Sequence, residues 1–245
     1  MKKLFKVLAV LVLVLSAATL VSCKKNKEVT AKGYGLVHKD YVGVAEITVK
    51  KGEVTALTFE EVYLPSHWAG LVSNEGVAAD LYLEYQGKYA VSYAAKYVMV
   101  GDKKFTAELV DGAPVYSAEG IADLKAWVSA SEENAKWYAE ELLAGNAKAT
   151  DASWNKASFQ ITADKEGGFK KSTTGYWSGS NYPLGWKGNM EALQEALIGT
   201  EMGFADADIV KGDTWKIGDV TSKATLVDAK DYIAVAQRAY NAATK

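Results

Sequence analysis

The sequence is poor in the residues that crosslink chains, bind transition metals and interrupt strands. Its 245 residues include one cysteine, two histidines and three prolines. A single cysteine excludes an intramolecular disulfide, so the core must supply the stability. Two histidines far apart in the chain, with one cysteine, do not predict a transition-metal site. No G-x-S-x-G, H-E-x-x-H or P-loop pattern occurs, so nothing indicates a hydrolytic enzyme.

Positive charge is also sparse and is not clustered in the body of the chain. Arg238 is the single arginine, and the full chain has 28 basic and 30 acidic side chains. Without residues 1–22, which hold three lysines and no acids, the net charge is −5. A nucleic-acid interface needs a stripe of lysine and arginine, and none is visible. Nucleic acid is therefore not an expected partner.

The N-terminus has the pattern of an export signal. Three lysines within the first six residues precede the apolar run Val7–Val14, and small residues lead to Leu20–Cys23. This order predicts a secretory signal peptide over residues 1–22. Leu20–Cys23 resembles a lipobox, which implies cleavage before Cys23, lipid on its sulfur and a lipidated tether over residues 23–32. The alternative is an ordinary signal peptide that happens to contain a cysteine.

The remaining chain, residues 33–245, reads as one domain that begins with strands. From Tyr41, apolar and polar residues alternate in two runs joined by Lys51–Gly52, which predicts a β-hairpin. A second β region turns near Gly101–Asp102, and a later strand is expected over Ser158–Ala163. Strands come first, helices follow and no βαβ rhythm is present. The order predicts an α+β fold, an antiparallel sheet with helices packed on it.

Helix signals concentrate in the second half of the chain. We expect a helix over Gly120–Ala144, in which Ser129 and Glu132 form a capping box. A second helix is predicted over Met190–Ile198, stopped by a glycine, and a third over Val227–Ala243.

The approach to the last helix carries more polar residues than capping needs. Asp219 through Thr225 brings a carboxylate, three hydroxyls and a lysine into what reads as one short turn. One interpretation is an ordinary S/T-x-x-D cap formed by Thr225 and Asp228. That interpretation leaves Asp219 and Ser222 without a role.

The other interpretation is a resemblance to the FMN-binding domain of the Rnf and sodium-pumping quinone reductase complexes. That family has a motif Asp-x-x-Ser-Gly-Ala-Thr before a helix, and its threonine accepts FMN through a phosphoester. Asp219, Ser222, Ala224 and Thr225 match the motif. Lys223 stands where the family has glycine. A helix N-terminus favours phosphate, and Lys223 either pairs with that phosphate or blocks attachment.

A second match to the same family lies near the start of the domain. Its members typically begin with Tyr-x-Gly and a hairpin, which Tyr41–Gly43 and the sequence ITVKKGEVTALTF resemble. Residues 64–217 do not align and are interpreted as a long central insertion. Many such domains occur on exported lipoproteins.

The resemblance implies a flavoprotein that carries electrons rather than an enzyme with its own substrate. FMN is expected on Thr225, placed there by a flavin transferase. Lipid on Cys23 is expected to hold the protein on the extracytoplasmic face of the cell membrane, near membrane redox proteins. His67 and Trp68 fall where the family usually contacts flavin, although a surface or core histidine is the plainer interpretation of His67.

Other interpretations stay open. Ser178–Asn181 is a rival attachment loop, but Asn181 occupies the acceptor position and cannot form a phosphoester. Tyr176, Trp177, Trp186 and Trp215 suit a flat ring or cover a core edge. A non-catalytic ligand-binding or surface-antigen lipoprotein of the same fold is the alternative function, and the lysine in the motif favours it. Non-covalent flavin binding is a third.

Overall fold

The computed structural model describes residues 27–173, 177 and 183–245. The predicted signal peptide, Cys23 and Ser178–Asn181 lie outside these residues. In the described part, six helices and twelve strands in antiparallel sheets confirm the α+β prediction. No helix among these residues is both long and apolar enough to cross a membrane.

The strands form four separate sheets. Three long strands form the first, in the order β1-β2-β3. The strands are β1 Val29–Val37, β2 Tyr41–Lys50, β3 Glu53–Tyr63, β4 Tyr82–Gln86, β5 Val91–Ala95, β6 Tyr97–Val100, β7 Lys103–Val110, β8 Ala113–Ser117, β9 Ala147–Thr150, β10 Ile209–Lys211, β11 Trp215–Ile217 and β12 Val220–Ser222. The other sheets are the β4–β5 hairpin, a four-stranded sheet β8-β7-β6-β9 and a small sheet β10-β11-β12.

Helices cover both faces of the first sheet. The six helices of the described residues are α1 Pro65–Trp68, α2 Leu124–Ala130, α3 Glu132–Leu143, α4 Thr162–Glu166, α5 Gly185–Leu197 and α6 Ala229–Thr244. On one face, α6 lies so close that a Cβ at Gly33 would clash with the Val235 carbonyl oxygen. On the other face, the Tyr34 hydroxyl donates to Glu140 of α3 at 2.9 Å. Glycine is needed at position 33 because a larger residue would push α6 away.

The β2–β3 hairpin forms as predicted. Lys51 and Gly52 have φ of 56° and 91°, the left-handed geometry that tight hairpin turns require. The turn near Gly101–Asp102 is also confirmed, since it joins β6 to β7.

Strand β1 was missed, because its lysine and two glycines mask the alternation. Pairing with β2 from Val29 onward forms it, so residues 29–32 belong to the sheet and not to the tether.

Two predicted helix boundaries are wrong for local reasons. The helix expected over Gly120–Ala144 is two helices, α2 and α3, separated at Ser131. The Ser131 hydroxyl caps α3 by accepting from the Asn134 amide at 3.2 Å, whereas the Ser129 hydroxyl donates to the Ala126 carbonyl. Helix α5 begins at Gly185, five residues before the predicted start.

The strand predicted over Ser158–Ala163 does not form. Ile161 makes one isolated bridge with Leu71, and α4 begins at the next residue. The Asp164 carboxylate accepts from the Ile161 amide at 3.1 Å, which favours the helix start over strand pairing.

Candidate functional site

The stretch from Asp219 to Thr225 is extended and is not a turn at a helix entrance. Asp219 lies in the turn between β11 and β12, and Ser222 ends β12. From Thr221 to Val227 the residues alternate between exposed and buried, as along a strand. The expectation of one crowded turn is therefore wrong, and the polar side chains are spread along the segment.

The capping interpretation is also wrong. Helix α6 begins at Ala229, four residues after Thr225, and Asp228 at the N-cap makes no side-chain bond to the helix. The Asp228 carboxylate instead contacts the ring of His38, in the turn between β1 and β2.

Asn189 of α5 holds the backbone at Thr225. This side chain is 1% exposed. Its Oδ1 accepts from the amides of Thr225 at 2.6 Å and Leu226 at 3.1 Å. Its Nδ2 donates to the Gly185 carbonyl at 2.6 Å. A buried amide side chain is thus committed to fixing two consecutive peptides of the segment, while the Thr225 side chain remains exposed.

Two side chains from the small sheet bind the carbonyl groups of the same two residues. The indole nitrogen of Trp215 donates to the Leu226 carbonyl at 2.7 Å, and the Lys211 ammonium lies 3.4 Å from the Thr225 carbonyl. We call Asn189, Lys211 and Trp215 the Thr225 support. Backbone groups on both sides of Thr225 therefore have partners.

The other motif residues have structural positions that the sequence did not reveal. The Ser222 hydroxyl is buried, donates to the Ala192 carbonyl at 2.8 Å and accepts from the Ala224 amide. Ala224 is fully buried, so a small residue is needed there. Lys223 is exposed, and its φ is not positive. Glycine is therefore not required for the backbone at position 223.

His67 and Trp68 do not line a common pocket with Thr225. Trp68 is fully buried, and its indole nitrogen donates to the Tyr138 hydroxyl at 3.1 Å, so it is a core residue. The His67 side chain lies in α1 and is exposed, with its ring centroid 4.9 Å from that of Tyr41. Partial burial among its neighbours lowers the pKa of His67, which favours the neutral ring.

Sequence reasoning missed a buried ion pair. The Lys171 ammonium lies 2.7 Å from the Glu61 carboxylate, and their side chains are 4% and 0% exposed. The Trp186 indole donates to the other carboxylate oxygen at 2.8 Å, and the Tyr41 ring faces the ammonium at 4.6 Å. Burial raises the pKa of Glu61, and Lys171 opposes that shift.

One signal for this pair was present in the sequence. Glu61 lies on the same face of β3 as Leu57 and Phe59, so it is a carboxylate within an apolar stripe. Lys171 gave no such signal, because no periodic element surrounds it.

His38 forms a second polar cluster, next to the first. Its amide donates to Asp231 at 3.0 Å, its ring contacts Asp228, and the ring stacks on Tyr41 with centroids 5.6 Å apart. The bond to Asp228 raises the pKa of His38. Burial raises the pKa of Asp231. The cluster fixes the β1–β2 turn to the start of α6.

For Trp186 and Trp215, the structure agrees with the interpretation that these aromatics cover the core. Trp186 and Trp215 are buried, and their indole nitrogens serve internal bonds. Trp177 is partly buried, and Tyr176 lies outside the described residues. No group of three potential metal ligands occurs within residues 27–173, 177 and 183–245.

Comparisons with known proteins add no relative. No family model, no curated protein and no solved structure matches the chain.

Proposed function

We propose that the protein is a membrane-anchored, extracytoplasmic electron carrier with FMN joined by a phosphoester to Thr225. One observation supports this best. The Thr225 side chain is exposed, while its backbone is bonded by the Thr225 support of Asn189, Lys211 and Trp215. The support holds the backbone in place without covering the threonine side chain. The arrangement suits a hydroxyl that a modifying enzyme can reach and that must then keep the attached group in a fixed position.

The residues around Thr225 fit a phosphoester. A phosphodiester keeps one negative charge, and the Lys211 ammonium lies near the Thr225 backbone. Lys223, two residues away, is exposed on the same side of the extended segment. The Thr225 hydroxyl also donates to Asn189 Oδ1 at 3.4 Å. Esterification removes this proton and its bond, but Asn189 still accepts from two backbone amides. Attachment therefore leaves the support intact.

FMN supplies one- or two-electron chemistry when it is bound. The chain's own residues provide the attachment oxygen, hold its backbone and place cationic side chains nearby. Lipid on Cys23 keeps the carrier close to membrane redox partners, and a flavin transferase is the partner required for loading.

Covalent mass is the decisive measurement. The protein is co-expressed with a flavin transferase, and intact mass and in-gel flavin fluorescence are recorded after denaturation. We expect one FMN, less one water, on the Thr225 peptide and none in Thr225→Val. Thr221→Val is the matched control, because Thr221 is an exposed threonine on the same side of the segment. A protein that stays unlabelled, while a known family member is labelled in the same cells, contradicts the proposal.

Acid precipitation separates the non-covalent alternative. Yellow colour that passes into the supernatant indicates a dissociable flavin, whereas colour that stays with the pellet indicates the ester. The second candidate function, a ligand-binding lipoprotein without flavin, is favoured by Lys223 and by a cavity of about 450 Å³ beside His67. It predicts no flavin in either fraction.

A further inference from the structure

A cavity of about 450 Å³ opens beside His67, where α1, β8 and the start of α2 meet. Its volume falls within the range of small-molecule sites in proteins. The apolar part of its wall consists of Leu64, Pro65, Pro114, Val115, Leu124 and the ring of Tyr116. These residues come from separate elements, so the tertiary structure alone creates the cavity.

Two tyrosine rings contribute to the wall. The Tyr116 hydroxyl donates to the Ala95 carbonyl at 2.9 Å and is buried, so the cavity meets its ring. Tyr85 is partly buried, and burial raises the pKa of its hydroxyl, which therefore stays neutral. Aromatic and aliphatic walls of this kind favour a flat apolar body in the ligand.

The charged groups of the wall leave one negative charge in excess. Asp40 and Lys125 form an ion pair of 2.6 Å and offset each other. Asp123 accepts from the Ala126 amide through Oδ1 and has no lysine partner among the residues lining the cavity. His67 has a lowered pKa and is neutral near pH 7. An anionic ligand would meet Asp123 without a free cation to balance it.

We infer that this cavity binds an organic amine whose body is aromatic or otherwise flat and apolar. The ammonium pairs with Asp123, and the body packs between Pro65, Pro114 and Tyr116. The site is separate from Thr225 and does not depend on flavin attachment.

Calorimetric titration of the full exported chain tests the inference with three probes of the same ring. Tryptamine carries the ammonium, tryptophol replaces it with a neutral hydroxyl, and indolepropionate carries a carboxylate. We expect tryptamine to bind at least about tenfold more tightly than tryptophol, because only tryptamine forms a charge-assisted hydrogen bond. Indolepropionate should bind most weakly of the three. Equal binding of all three, or no saturable binding of tryptamine at millimolar concentration, overturns the inference.

Two variants locate the site without disturbing the fold. Asp123→Asn keeps a good N-cap for α2 and removes the charge. The affinity of this variant for tryptamine should therefore fall to its affinity for tryptophol. Asp213→Asn, at an exposed position between β10 and β11 that does not line the cavity, is its control. Val115→Trp should fill the cavity and abolish binding of both probes, whereas Val210→Trp, at an exposed position of β10, should not.

Thr225→Val protein must bind tryptamine as the parent protein does, which separates this inference from the flavin proposal. If both cavity variants bind tryptamine unchanged, the amine lies elsewhere and the assignment is wrong.

Discussion

The Thr225 segment and the Glu61–Lys171 pair use the same helix for opposite purposes. Asn189 and Trp186 are three residues apart in α5. Asn189 supports an exposed threonine, whereas Trp186 bonds a carboxylate that solvent does not reach. Asn189 therefore holds the backbone of a residue whose side chain faces solvent. Trp186 instead binds a carboxylate that is enclosed in the core.

The difference shows what each polar group contributes. The Lys171 amide donates to the Glu61 carbonyl at 2.9 Å, and the Ser172 amide to the Glu60 side chain at 3.1 Å. These bonds fasten the chain after α4 to β3 and hold the two buried charges together. At Thr225 the support orders the backbone of an exposed residue.

The largest effect is expected when the buried pair is broken. Lys171→Met leaves the Glu61 carboxylate without its cation, and we expect a loss of about 3–5 kcal/mol in the free energy of unfolding. Urea denaturation measures this. The double variant Lys171→Met with Glu61→Gln should recover most of the loss, because Gln still accepts from Trp186.

The control is an exposed pair. Lys50→Met removes the 3.1 Å contact with Glu28, whose side chain is half exposed, and should cost less than about 1 kcal/mol. Equal losses from Lys171→Met and Lys50→Met contradict a stabilising role for burial.

Removing the Thr225 support is expected to cost less. Asn189→Ala leaves the Thr225 and Leu226 amides without their acceptor, and the loss should be about 2 kcal/mol. Flavin labelling should fall as well, because the segment is no longer held. Asn241→Ala, an exposed position in α6, is the control and should change stability by less than about 0.5 kcal/mol.

A smaller, pH-dependent effect is expected from His38. Its folded pKa is raised by Asp228, so its contribution is full below the unfolded pKa of 6.5 and is lost as pH rises through the folded value. His38→Asn should therefore lower the unfolding midpoint mainly at acidic to neutral pH. Asparagine tolerates the left-handed backbone of this position, where φ is 48°.

His67 should give a pH dependence of stability opposite in sign to that of His38. Its folded pKa is lowered, so stability is lost as pH falls through the unfolded pKa of 6.5, and His67→Gln should remove that loss. Midpoints measured across pH separate the two histidines. A parallel shift of both variants at all pH values is the result that contradicts this assignment.

The smallest effect is expected at Lys223. Because its φ is not positive, Lys223→Gly brings no relief of backbone strain and should cost up to about 1 kcal/mol through chain entropy. Flavin labelling should not change measurably. A large rise in labelling in Lys223→Gly, but not in Lys216→Gly, would show that the lysine blocks attachment.

Much of the fold followed from local patterns. The β2–β3 hairpin was predictable because alternation and a Lys-Gly turn lie within twenty-three residues, Tyr41–Tyr63. Helix α6 was predictable to within two residues at its start, since one apolar face runs along it. By contrast, the helix break at Ser131 and the absence of a strand at Ser158–Ala163 depend on single side-chain bonds that compete with propensity.

The candidate site, like the fold, was predictable only in its local features. By itself, the sequence determined that a hydroxyl-rich segment precedes the last helix, because residue identity and order are local properties. Only the tertiary structure decided that the segment is extended and that Asn189, 36 residues away, supports it. It alone joined Glu61 to Lys171 across 110 residues. Contacts at such separations leave no periodic trace in a sequence, since they depend on how whole elements pack.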